Sequence, residues 1–113
     1  MPRLPQAALA HLAFDFEHPL EAGSFRMWVD KKLVYTQDLE GHVTKELAGI
    51  KIHKGTIEAV LDVSPGRHVV RVRIAWEDNV KEESLSGSFT AGSTRRLEIR
   101  LGLVFKNLSV EWK

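Results

Sequence analysis

Apolar and polar side chains alternate one for one along most of this chain, and the clearest stretch is Val69-Val70-Arg71-Val72-Arg73-Ile74-Ala75-Trp76. Side chains on a pleated strand point to opposite faces with period two, so Val70, Val72, Ile74 and Trp76 share one face while Arg71 and Arg73 share the other. His68 has the parity of the apolar face, at the rim of the core, where its ring can donate to a backbone carbonyl. The preceding Ser64-Pro65-Gly66 is a tight turn, because proline presets the first turn angle and glycine accepts the positive φ that a type II turn needs next. It predicts a hairpin between the strand 56–63, with Ile57, Ala59, Leu61 and Val63 inward, and the strand 67–76.

The same alternation marks the other elements. Leu12, Phe14 and Phe16 form the inner face of a first strand that Pro19 ends, and Phe25, Met27 and Val29 form that of a second. Asp30-Lys31-Lys32 is a hairpin candidate leading into Leu33-Val34-Tyr35-Thr36. Between 37 and 54 the pattern loosens, with Gly41 and Gly49 as punctuation, which predicts loops and a short strand. Glu77-Asp78-Asn79-Val80 reads as a polar loop. Leu85, Gly87 and Phe89 then alternate with serines, Ala91-Gly92-Ser93 turns the chain, Leu97, Ile99 and Leu101 oppose Arg96, Glu98 and Arg100, and Leu108, Val110 and Trp112 close it. The expected fold is all-β, an antiparallel two-sheet sandwich of about eight strands with an immunoglobulin-like look and no long helix.

The 113 residues suit a single sandwich domain over 1–113, with 1–11 as a flexible lead. The 16 lysines and arginines against 15 acids leave a formal charge of +1, too small a field to draw the chain to nucleic acid or an anionic membrane. No stretch reaches the roughly 20 apolar residues that span a bilayer, and Pro5, Gln6 and His11 break the N-terminal apolar run that a signal peptide requires. Cytoplasmic location follows if Met1 is the native start; the cell envelope is the alternative if the chain is an excised domain. The absence of cysteine removes disulfides, thiolate metal sites and thiol nucleophiles.

Little in the chain points to catalysis or a cofactor. His11, His18, His42, His53 and His68 form no i, i+2 or i, i+4 pair of the kind a metal site uses. Asp62, Glu77, Asp78 and Asn79 lack the spaced acidic pattern of a calcium loop. Leu85-Ser86-Gly87-Ser88 lacks the glycine-flanked elbow of a serine nucleophile, and no glycine-rich phosphate loop occurs. The expected site is therefore a binding surface, with no enzyme activity and no cofactor. Trp28 has the outward parity beside Arg26 and Asp30, and Tyr35 with Gln37 follows on the next strand, which makes Trp28, Arg26, Asp30 and Tyr35 the candidate ligand-binding set. A second candidate is a basic face of Arg71, Arg73, Arg96 and Arg100, joined by Arg95, with Glu58, Asp62 and Glu98 as cross-strand partners.

Three segments carry a resemblance: Trp28-Val29-Asp30-Lys31-Lys32-Leu33-Val34, then Ser64-Pro65-Gly66-Arg67-His68-Val69-Val70-Arg71-Val72, then Phe89-Thr90-Ala91-Gly92-Ser93-Thr94-Arg95-Arg96-Leu97. Together they resemble bacterial PEGA-type domains, small β-sandwich modules, with Lys31 standing where that family usually places glycine. The resemblance implies a non-catalytic accessory module of a larger bacterial protein. The leading expectation is a protein partner bound on one sheet face or at an edge strand. Carbohydrate binding on Trp28 and Tyr35 is the alternative. Self-assembly into a homo-oligomer through edge strands is the third.

Overall fold

The computed structural model describes residues 9–47, 50–102 and 106–113, the stretch 42–54 by its backbone alone. Among these residues the chain forms strands β1 (Ala10–His18), β2 (Ala22–Val29), β3 (Lys32–Glu40), β4 (His42–Leu47), β5 (Ile50–Val63), β6 (Gly66–Trp76), β7 (Asn79–Phe89), β8 (Thr94–Leu101) and β9 (Leu108–Trp112), and no helix. Two layers of four result. One runs β5-β1-β8-β9 and the other β3-β2-β6-β7. The ninth strand, β4, pairs only with the first part of β5, at 50–54, whereas β1 takes 55–63. The fold is an all-β sandwich, with one parallel pairing between β1 and β8.

The alternating apolar positions meet between the layers. Phe14 and Phe16 from β1 stack on Phe25 from β2 at centroid distances of 5.5 and 5.1 Å, with Leu12, Met27, Val70, Val72, Ile74, Leu97 and Ile99 closing the core around them. Full burial stabilises each such side chain by roughly 1.5–3 kcal/mol, which is what selects this two-layer packing.

Four details differ from the sequence reading. Ser64-Pro65 does not make a hairpin: β5 pairs with β1 and β6 pairs with β2 and β7, so the turn is a corner carrying the chain between layers. Alternation fixes which face is apolar but not which neighbour a strand chooses. Residues 37–54, expected as loops and a short strand, are strand in β3, β4 and the start of β5 except at Gly41 and at 48–49, which lie outside the described residues. There the pattern was weak because β3 is an edge strand and β4 pairs with a single neighbour, so neither has two packed surroundings to enforce alternation. The 77–80 loop is only a two-residue turn at Glu77-Asp78, with Trp76 paired to Asn79 and Glu77 at φ 50°. Finally, β1 begins at Ala10, so Ala10 and His11, assigned to the flexible lead, belong to the sheet; residues 1–8 lie outside the described residues.

The two layers are stitched along one side. Trp112 of β9 donates its indole N–H to the Ser86 carbonyl of β7 at 2.9 Å, Arg95 of β8 donates to the Ser88 carbonyl at 3.0 Å, and the Arg95 guanidinium lies 4.4 Å from the Trp112 ring centre. Gly87 makes this possible, since a Cβ there would stand 2.7 Å from the Trp112 ring.

Candidate functional site

The outward face of β3-β2-β6-β7 is set by strand register. Leu33, Trp28, Arg71 and Ser84 form one row across the four strands. Thr36, Arg26, Arg73 and Glu82 form the next, and Asp38, Ser24, Ala75 and Val80 the one after. Val69 precedes Arg71 on the same face. A bulge on β3 between the partners of Met27 and Trp28 resets its parity, which turns Leu33 outward beside Trp28.

Trp28 is half-buried on this face under two arginines. The guanidinium carbons of Arg71 and Arg73 lie 4.5 and 5.1 Å from its ring centre, a cation–π arrangement that holds the indole against the sheet. Glu82 serves both arginines, at 2.8 Å from Arg73 Nε and 3.5 Å from Arg71 Nε, and Arg71 Nε makes no hydrogen bond. Arg26 stands directly across from Arg73, exposed, with no ion pair or hydrogen bond among the described residues. Three guanidinium groups thus stand against two carboxylates on this part of the face, Glu82 and, in the next row, the exposed Asp38. Leu33 and Val69, 47% and 48% exposed, lie in and beside the Trp28 row, and a shallow depression of about 360 Å3 opens between Asp30, Lys31, Val69, Arg71 and Ser84.

The structure brings Arg26 and Trp28 together on this face but not Tyr35. Tyr35 is paired with Met27 and points to the core side, where its ring packs edge-on against Phe14 and Phe25 and its hydroxyl donates to Gln37. Trp28 and Tyr35 are therefore on opposite faces of one sheet and do not make a shared stacking platform. The bulge is the reason. Asp30 is also drawn away: its carboxylate accepts from the Val69 N–H at 2.9 Å and pairs with His68 Nδ1.

The expected basic face is divided in the same way. Arg71 and Arg73 lie on the β3-β2-β6-β7 layer, whereas Arg96 and Arg100 lie on the outer face of β5-β1-β8-β9, because β6 and β8 belong to different sheets. Arg95 has the inward parity and sits at the stitched seam. On that second face Asp15, Glu58, Glu98 and Glu111 fall in one row. Arg100 neutralises part of it at 2.8 Å from Asp15 and 2.7 Å from Glu98, with Lys113 at 2.5 Å from Glu98. Glu58 faces Asp15 rather than an arginine.

At one end of the sandwich Ser64, His68 and Asp30 form a hydrogen-bonded chain. The Asp30 bond raises the His68 pKa, opposed by partial burial, and the bonds from His68 and the Val69 N–H lower that of Asp30. His68 Nε2 lies 2.7 Å from the Ser64 carbonyl and 3.2 Å from its hydroxyl. A ring nitrogen that donates to a carbonyl cannot also take a proton from the serine, and Pro65 has no N–H to offer an oxyanion. The trio is built as a clasp between the β2–β3 turn and the β5–β6 corner.

His18, at the other end, is buried against Phe16, and its Nδ1 accepts the Leu20 N–H at 3.1 Å. Desolvation pushes its pKa down. Asp62 pairs with His11 at 2.9 Å, while Glu77 and Asp78 sit in the β6–β7 turn, so the oxygen-rich set from the sequence is split. The side chains of His42 and His53 lie outside the described residues, and among the others no three His, Asp or Glu converge on a metal position.

Sequence reasoning missed Leu33, Val69 and Glu82 as parts of the Trp28 face. The signal was present as apolar residues at polar parity, Val69 beside Val70 and Leu33 beside Val34. No family model, curated protein or solved structure matches this chain.

Proposed function

We propose that this chain is a non-enzymatic protein-interaction module, a PEGA-like, immunoglobulin-like accessory domain of a larger bacterial protein, and that it binds its partner on the outward face of β3-β2-β6-β7. The observation that carries the reading is the exposure of Leu33 and Val69 around a Trp28 ring held by arginines. Tryptophan and arginine are the side chains that most often dominate protein interfaces, and a partner covering Leu33 and Val69 removes their apolar surface from water. The PEGA-like part of the reading rests on the sequence segments 28–34, 64–72 and 89–97. Protein is favoured over carbohydrate because sugars stack on open rings, whereas guanidinium groups lie over Trp28 and Tyr35 faces inward.

A displayed peptide library panned on the folded domain tests this. Selected peptides are expected to lose binding to Leu33→Glu and Val69→Glu and to keep it with Val60→Glu, a substitution at a 65% exposed valine on the opposite face. Selection of binders that respond only to Val60→Glu, or capture of glycans but no peptide, would overturn the reading.

A further inference from the structure

The spacing of rows on the Trp28 face specifies a partner more closely than its apolar surface does. Alternate residues on a strand repeat every ~6.8 Å, and an extended chain laid along the strands repeats its own side chains at the same interval. Three successive stations then face such a chain. The first is the depression beside Val69, with Leu33 and Trp28. The second is the Arg26 and Arg73 row, and the third is the row of Asp38, Ser24, Ala75 and Val80, whose apolar end on β6 and β7 is Ala75 with Val80, the latter 60% exposed. At the middle station Glu82 is the carboxylate for Arg71 and Arg73, and Arg26 has no partner among the described residues.

Resting on the protein-binding reading above, we infer that the partner presents an extended segment with an apolar, an acidic and an apolar side chain at alternate positions, the acid meeting Arg26 and Arg73. The apolar residues lie at the outer stations against Val69 and Val80, and the carboxylate supplies the one charge that Glu82 and Asp38 together leave unmatched among Arg26, Arg71 and Arg73. Arginine is suited to this role because its planar fork grips a carboxylate through two N–H groups.

The test uses three capped peptides, Thr-Val-Thr-X-Thr-Val-Thr with X as glutamate, glutamine or lysine, titrated while the Trp28 indole and arginine Nε–H resonances are followed. The glutamate peptide should bind tightest and the lysine peptide weakest. Arg26→Gln should weaken the glutamate peptide on the order of fivefold, the scale of an exposed ion pair, and leave the glutamine peptide unchanged. Arg96→Gln removes an equal charge from an exposed arginine on the opposite face that has no ion pair among the described residues, and should change neither. Equal binding of all three peptides on the Trp28 face would overturn the acidic preference and leave the binding face standing. An equal loss in both arginine variants would assign the preference to overall charge and overturn it too. No response at Trp28 to any peptide would overturn the inference, while the library selection judges the face independently.

Discussion

Lys31 is a residue in a glycine's conformation. It holds φ 75° and Asp30 holds φ 50°, the pair of positive values that a two-residue hairpin turn requires. The left-handed region costs a non-glycine residue about 1 kcal/mol, partly offset in a glycine variant by the larger entropy of its unfolded chain, about 0.5 kcal/mol. Lys31→Gly should therefore stabilise the domain by under about 1 kcal/mol in urea unfolding. Asp30 is expected to tolerate no such exchange, because its carboxylate holds the Val69 N–H and His68. The His68 pKa is raised, so the clasp stabilises fully below the ordinary histidine value of 6.5 and weakens as pH rises through the raised one. Asp30→Asn should bring the His68 titration back toward 6.5, read by the ring resonances. The rim position of His68 was legible in its parity with Val70. Its acidic partner was not, because it lies 38 positions earlier in the chain and meets it only once β2 pairs with β6.

The elements were legible where both faces of a strand have fixed surroundings. Strands β1, β2, β6 and β8 are interior to their layers and carry clean alternation, whereas β3 and β4 have one neighbour each and blurred into an expected loop. The corner at Pro65 was not legible because a Pro-Gly pair serves a hairpin and a layer crossing equally well. One bulge on β3 turned Leu33 outward and left Tyr35 inward, and its only mark on the periodicity is the apolar pair Leu33-Val34, too short to show where the parity changes. At the stitched side the close approach of β9 to β7 depends on Gly87. Gly87→Ala should force the Trp112 ring away, break its bond to the Ser86 carbonyl and cost about 1–3 kcal/mol. Tryptophan emission should redden in the folded variant; an unchanged spectrum and stability would show that the seam does not depend on this contact.

At the scale of the whole molecule, two histidines respond to acid with opposite sign from opposite ends of the sandwich. Burial holds the His18 pKa down, so below 6.5 the unfolded chain takes a proton that the folded ring resists, and stability falls as pH drops. A His18→Gln variant should flatten the loss of melting temperature between neutral and mildly acid solution; an unaltered slope would assign that loss to other groups. The layers themselves place the basic and apolar Trp28 face on one side and the carboxylate row of Asp15, Glu58, Glu98 and Glu111 on the other. A chain with a formal charge of +1 thus presents two unlike surfaces. The most direct measurement of the central claim pairs thermal melting with peptide binding in Trp28→Ala, using a peptide selected on the native domain. Because Trp28 lies outside the core, the variant is predicted to remain folded with a loss of about 2 kcal/mol or less, below the range for a fully buried aromatic, and to lose binding. A folded variant that binds the peptide as tightly as the native domain would contradict the account.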